Sequence, residues 1–199
     1  MAKIITADYY LDLEHPAINN MTDDELFSFC SQNKNVKIER DENNQILIMA
    51  PTGIATSSKN FDICGLLFLW NSQSNSGKAF DSNAGFFLPD TSMLSPDASW
   101  MSMDKWNSLS DDQKEKFAYI TPDFIIELMS PSDRLKNLKK KMVKWIDNGV
   151  KLGWLIDPKS QQTFIYRADG TVDKITSFDK KLSGEDVLPG FELNLPILK

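Results

Sequence analysis

The stretch Pro122-Asp-Phe-Ile-Ile-Glu-Leu-Met-Ser-Pro-Ser-Asp133 decides the fold. Its run Phe124-Ile125-Ile126, followed by Glu127, reads as a short hydrophobic strand that carries one carboxylate in its interior. Ser130 is placed to cap a helix, with Pro131 at its first position and Asp133 at its third. The helix is expected to run to about Asn148, where Gly149 supplies the left-handed turn that ends it. Lys151 to Asp157, with Leu152, Trp154, Leu155 and Ile156, is a second buried strand. Strand, helix, strand is a right-handed crossover unit, so the chain is expected to be α/β, with a central mixed β-sheet flanked by α-helices.

Working outward, Thr163–Arg167 and Val172–Thr176 form a hairpin around Asp169-Gly170. On the amino-terminal side, Thr22-Asp-Asp-Glu25 has the form of a capping box, so a short helix follows it and buries Leu26, Phe27 and Cys30. Val36–Arg40 and Gln45–Ala50 read as strands around the turn Asp41-Glu-Asn-Asn44. After the break Pro51-Thr-Gly53, Ser58–Asn71 reads as a mostly buried helix carrying Phe61, Cys64, Leu67, Phe68 and Trp70. Short extended pieces follow from Lys78 to Trp100. A surface excursion of short helices spans Ser102–Phe117 and contains a second capping-box form, Ser110-Asp-Asp-Gln113. No repeat or linker divides the chain, which predicts one domain.

The chain has 199 residues, of which 41% are hydrophobic and 25% charged, with Lys+Arg 22 against Asp+Glu 28 for a net charge of −6. It contains one histidine, His15, and two cysteines. That inventory excludes zinc fingers, His-rich clusters and disulfide frameworks, so the chemistry is expected to run on carboxylates and lysines. The longest apolar runs fall well short of the ~18 residues a membrane span needs. The expectation is a cytoplasmic protein with Cys30 and Cys64 reduced and no membrane partner. The acidic balance argues against indiscriminate binding of nucleic acid while leaving room for a local basic site.

Two carboxylates stand out by context. Asp97 follows Pro96 and precedes the strand-like Ala98-Ser-Trp100, and Glu127 lies within an apolar strand. A carboxylate in low dielectric needs a cation, a metal or hydrogen-bond donors; the plain alternative for either is a strand-end acid facing water. The helix after Glu127 shifts the balance. Arg134, Lys136, Lys139, Lys140, Lys141, Lys144 and Lys151 supply seven of the 22 positive charges. Leu135, Leu138, Met142, Trp145 and Ile146 make its apolar arc, with Lys139 and Lys141 at the two edges. Either edge lysine can lay its stem on the core and carry its ammonium into a site. Carboxylates holding a hard divalent ion, with a lysine beside them, are what metal-dependent phosphodiester cleavage requires.

Several separated stretches resemble one family: Phe80-Asp-Ser-Asn-Ala-Gly-Phe86, Leu94-Ser-Pro-Asp-Ala-Ser-Trp100, Pro122 to Asp133, Asn148-Gly-Val-Lys-Leu-Gly-Trp-Leu-Ile-Asp-Pro158 and Leu182-Ser-Gly-Glu-Asp-Val-Leu-Pro-Gly-Phe191. They look like the Uma-two family of restriction endonucleases, formerly a domain of unknown function, within the restriction-endonuclease-like PD-(D/E)XK superfamily. The resemblance runs from about Val36 to Leu195. It implies one nuclease domain over residues 36–199, with residues 1–35 an amino-terminal extension packed on the same domain, and a metal site where two strands diverge. Asp97 matches the Pro-Asp half-motif and Glu127 the acidic residue of the second half. Leu128 and Met129 follow Glu127, so the lysine usually two positions on is missing, and the family pattern places a substitute at Lys141. Glu39 matches an early glutamate and completes the metal set Glu39, Asp97 and Glu127. Ser57 or Ser58 stands where relatives often have a histidine.

The resemblance thus implies an endonuclease using Mg²⁺ or Mn²⁺, acting on nucleic acid, DNA before RNA, as a homodimer to which the apolar Phe191–Leu198 contributes. The alternative is a catalytically degraded module that keeps the scaffold for nucleic-acid binding or dimerisation. A glycosidase with Asp97 and Glu127 as acid and base fits less well, because the tryptophans fall on core positions rather than in an open cleft. Trp145 and Trp154 are assigned to the core, Asn83 to a turn and Ser130 to the helix cap.

Overall fold

The computed structural model describes residues 20–199, so His15 and the start of the amino-terminal extension lie outside the described residues. In chain order the elements are α1 (Asp23–Gln32), β1 (Lys37–Arg40), β2 (Ile46–Met49), α2 (Ile54–Ser74), β3 (Gly77–Phe80), β4 (Phe86–Phe87), β5 (Met93–Leu94), β6 (Ala98–Ser102), α3 (Met103–Ser108), α4 (Asp111–Lys114), β7 (Phe124–Leu128), α5 (Leu135–Asp147), β8 (Leu152–Asp157), β9 (Gln162–Arg167), β10 (Val172–Ile175), β11 (Lys181–Ser183) and β12 (Glu192–Asn194), closed by a 3₁₀ turn over Leu195–Leu198.

β7 and β8 sit at the centre of a six-stranded sheet in the order β10-β9-β8-β7-β6-β3. They are the parallel pair, in register from Phe124↔Leu152 to Leu128↔Ile156, and α5 makes the crossover between them. The remaining pairings are antiparallel, which makes the sheet mixed as expected. Every residue of β7 and β8 is buried, because helices or loops cover both faces. Alternation along β7 divides the core. Phe124, Ile126 and Leu128 pack with Trp154, Phe191 and α2, while Ile125 packs with Leu138, Met142 and Trp145 of α5. Glu127 shares the Ile125 face and is therefore aimed at α5.

A second sheet, β2-β1-β5-β4, packs with α1 through Leu26, Ile38, Ile46, Phe87 and Met93. Arg40 ties the two together, donating to Asp23 at 2.6 Å and to the Thr91 carbonyl at 2.9 Å. Both expected capping boxes form, Thr22 with Glu25 and Ser110 with Gln113. At the end of β7 opposite Glu127, buried Asp123 accepts from the Ser102 amide at 2.9 Å and pairs with Lys105 at 3.0 Å and Lys151 at 2.9 Å. It pins the ends of β6, β7 and β8 together.

Three expectations are corrected. Ser130 does not cap α5: Ser130–Asp133 closes a turn in which the Asp133 carboxylate accepts the Ser130 amide at 2.7 Å, and the helix starts at Leu135 after Arg134. Its end is as expected, with Gly149 at φ +103°. The helix expected at Ser58–Asn71 spans Ile54–Ser74 and is not mostly buried, since Ile63 and Leu67 are its fully buried residues while Phe61 and Phe68 face outward. Positions seven apart share a stripe at about 100° per residue, and that stripe points away from the sheet. Finally, Phe191, Leu193, Leu195 and Leu198 are buried against Trp154 and its neighbours, leaving Ile197 as the exposed large apolar residue of the carboxyl-terminal segment. Most of that segment's apolar residues are packed into the chain's own core.

Candidate active site

Glu39, Asp97, Glu127 and Lys141 come from β1, the residue preceding β6, β7 and α5, and the fold brings them to one place. The ladder between β6 and β7 runs from Trp100↔Phe124 to Ala98↔Ile126. Beyond it the Asp97 amide donates to the Ile126 carbonyl at 3.0 Å. Its carboxylate then takes the next amide, accepting from Leu128 N–H through Oδ2 at 2.8 Å. The strands separate here, so a side chain replaces a rung of the sheet.

Lys141 lies three residues beyond Leu138 and four before Trp145, at the edge of the buried stripe of α5. Its Nζ is 2.9 Å from Oε1 of Glu39 and 2.9 Å from Oε1 of Glu127. Glu39 also accepts the Ser95 amide at 3.0 Å through Oε1, and Glu127 accepts the Trp145 indole N–H at 2.9 Å through its own Oε1. Lys139, the other edge lysine, places its Nζ 4.0 Å above the Phe164 ring, so the geometry separates the two candidates. Lys37 enters from β1, two residues before Glu39 and hence on the same strand face, with Nζ 3.6 Å from Asp97 Oδ1. Lys37 and the Trp145 donor were not picked out by the sequence reading. The four residues of β1 are too few for alternation to signal the first, while the i, i+4 relation to Lys141 signals the second.

Burial pushes the Glu127 carboxyl up to about 7, an effect that Asp97 strengthens and Lys141 opposes. Burial acts on Glu39 too, but Lys141 and Lys37 together hold it below its usual range. Burial alone would depress the Lys141 ammonium; Glu127 and Glu39 outweigh it and raise the group. Lys141 therefore stays charged with Glu39 as its anion, and Glu127 is the carboxyl that burial raises. Cys64 contacts the Asp97 carbonyl at 3.7 Å, and its thiol is pushed up to about 11 by burial and by Asp81 and Asp97. Both cysteines are unpaired.

Among the described residues, no three His, Cys, Asp or Glu side chains already converge as an ion cage. The donor chemistry nonetheless fits a hard cation. Among the described residues, Glu39 and Glu127 make the contacts given above through Oε1, and Asp97 Oδ1 has the Lys37 ammonium at 3.6 Å. Ser57 and Ser58 are exposed on the first turns of α2 and contact none of these groups. Asn83 sits in a turn, with its amide on Asp81.

A mixed sheet with a parallel central pair, carrying acidic residues where β6 and β7 part and a lysine on the crossover helix, defines a restriction-endonuclease-like protein. The sequence profile of the Uma2 family, described as "Putative restriction endonuclease", matches residues 23–196, and the chain belongs to that family. The match takes in α1. The fold is similar to the crystal structure of a protein from Anabaena variabilis ATCC 29413 described as "a putative nuclease belonging to DUF820". That similarity has a TM-score of 0.73 at 21% identity and covers 89% of this chain and 97% of the other. A comparison with proteins of curated function finds no match.

Proposed function

We propose that the protein is a metal-dependent endonuclease that hydrolyses phosphodiester bonds of DNA, working as a homodimer in the cytoplasm. The observation that carries the reading is the meeting of Lys141 with two buried glutamates beside Asp97, four residues drawn from positions 39 to 141 of the chain. Asp97, Glu127 and Glu39 would hold Mg²⁺ or Mn²⁺. When bound, such an ion supplies positive charge at the scissile phosphate and makes an attacking water more acidic.

The chain's own groups do the rest. Trp145 fixes the carboxylate of Glu127, and Glu39 and the Ser95 amide hold Lys141 in reach. Lys141 would present its ammonium to the charge that develops on the phosphate. Lys37 offers a second ammonium at the open side of Asp97.

Titration with Mn²⁺ tests the reading. Binding is expected in the wild type and lost in Asp97→Ala and Glu127→Ala while circular dichroism stays unchanged. Absence of ion binding, together with no cleavage of DNA or RNA across a range of salt, would leave the degraded-module alternative standing.

A further inference from the structure

The outward face of α2 carries a stripe that packing among the described residues does not use. Ile54 is 92% exposed, Phe61 79%, Phe68 63% and Leu69 54%. At about 100° per residue, these four fall within a single arc of about 100°, with Ser58, Gly65 and Ser72 between them. The opposite arc is anchored to the domain: Ile63 and Leu67 are buried in the main core, Trp70 donates to the Pro189 carbonyl at 3.0 Å, and Asn71 accepts from the Trp100 indole at 2.8 Å. The four apolar residues carry no charge; of the two charged residues on the helix, Lys59 is turned to the Leu198 carbonyl and the half-buried Asp62 borders the stripe beside Leu69.

We infer that this face of α2 is the homodimer interface, with two copies of the helix packed antiparallel across a twofold axis at Gly65. The sequence of the stripe is what such an axis demands. Counted from Gly65, Phe61 and Leu69 lie four residues away on either side, and Ser58 and Ser72 seven. In an isologous contact each residue meets its counterpart on the other side of the axis, so Phe61 faces Leu69 of the second copy, Ser58 faces Ser72, Gly65 faces itself, and Phe68 lies across from the half-buried Asp62 at the edge of the stripe. Gly65 has no role inside the domain, since a Cβ there would meet nothing within 4 Å. A glycine in a helix interior costs about 1 kcal/mol relative to alanine. At the axis it lets the two backbones approach closely.

Area and charge agree with a second copy as the occupant. At about 150–250 Å² for a whole aromatic side chain, the four apolar residues bare roughly 500 Å² per protomer. Two copies reach the roughly 1,000 Å² that a specific interface must clear. Chains of net charge −6 repel each other, and a face whose centre is apolar, with Asp62 at its edge, is where two such chains can meet.

The inference rests on the proposed function only for the homodimer, and its tests read mass and cross-linking, which a failure of the nuclease reading would not alter. Light scattering on the full chain should give twice 22.6 kDa, falling to one chain mass in Phe61→Glu and in Leu69→Glu with unchanged circular dichroism. In a Cys30→Ser, Cys64→Ser background, a mixture of Phe61→Cys and Leu69→Cys proteins should form the mixed disulfide dimer on oxidation, whereas neither alone should. A monomeric wild type, a dimer that survives both glutamates, or cross-linking of Phe61→Cys with itself would overturn the arrangement. So would a wild-type monomer that dimerises once residues 1–19 are removed, which would assign the stripe to the chain's own amino-terminal segment.

Discussion

Trp145 donates its indole N–H at 2.9 Å to the same Glu127 oxygen that Lys141 approaches, one helical turn earlier on α5. A residue that fills the core thus also sets the direction of a carboxylate. Trp145→Phe keeps most of the ring volume and removes one donor to a buried acid. It should cost about 1–3 kcal/mol of stability, read from the urea midpoint, and weaken Mn²⁺ binding. Unchanged ion affinity would confine Trp145 to packing.

Lys141→Ala should abolish cleavage while leaving ion binding largely intact, because it removes an ammonium and no oxygen donor. Lys139→Ala is the matched control. With its ammonium over Phe164, its loss should cost no more than about 1 kcal/mol of stability and leave cleavage near the wild-type rate. Equal activity of Lys141→Ala and wild type would remove the lysine from the chemistry.

The metal-free protein should lose stability as pH rises from about 4.5 to about 7. Glu127 has its carboxyl at about 7 when folded against an ordinary value of 4.5, so across that window the folded state holds a proton that the unfolded chain has released. The stability it contributes is full below about 4.5 and is lost as pH rises through 7, by at most about 1.4 kcal/mol per pH unit. Glu39 acts in the opposite sense, its contribution being present above 4.5 and lost as acid reaches its lowered folded value. Glu127→Gln cannot titrate and should flatten the fall, measured by urea unfolding in the presence of a chelator. Parallel wild-type and Gln curves would count against the shift.

Asp123→Ala should be a stability mutant and not a site mutant. Burial works against the Asp123 anion, but the Ser102 amide, Lys151 and Lys105 outweigh it and hold the carboxyl below its usual range. Removing it strands an amide and two lysines at the strand ends, for a loss of about 2–4 kcal/mol. Calorimetry should show the lowered midpoint, while Mn²⁺ affinity at the far end of β7 stays as in wild type.

The crossover unit was legible in the sequence because each of its parts is local: an apolar run, a helical stripe, a glycine at φ > 0. The expected start of α5 failed because Ser-Pro-Ser-Asp suits a turn as well as a cap, and only the Asp133 contact to the Ser130 amide distinguishes them. For α2, apolar residues on nearly all sides showed a helix but not which arc faced the sheet. Asp97 and Glu127 could be singled out by neighbours in sequence. Their meeting with Glu39 could not, since Glu39 and Lys141 are 102 positions apart and no periodicity spans that distance. Lys37 escaped because β1 is four residues long, too short for alternation to announce a face.

That separation bears on how the protein is made. Synthesis runs from the amino terminus, so Glu39 and Asp97 leave the ribosome well before Lys141 and before β8 can complete the central pair. A partly made chain holds carboxylates without their ammonium. The four side chains therefore cannot meet until α5 has emerged, and the order of the chain sets when the cluster can form.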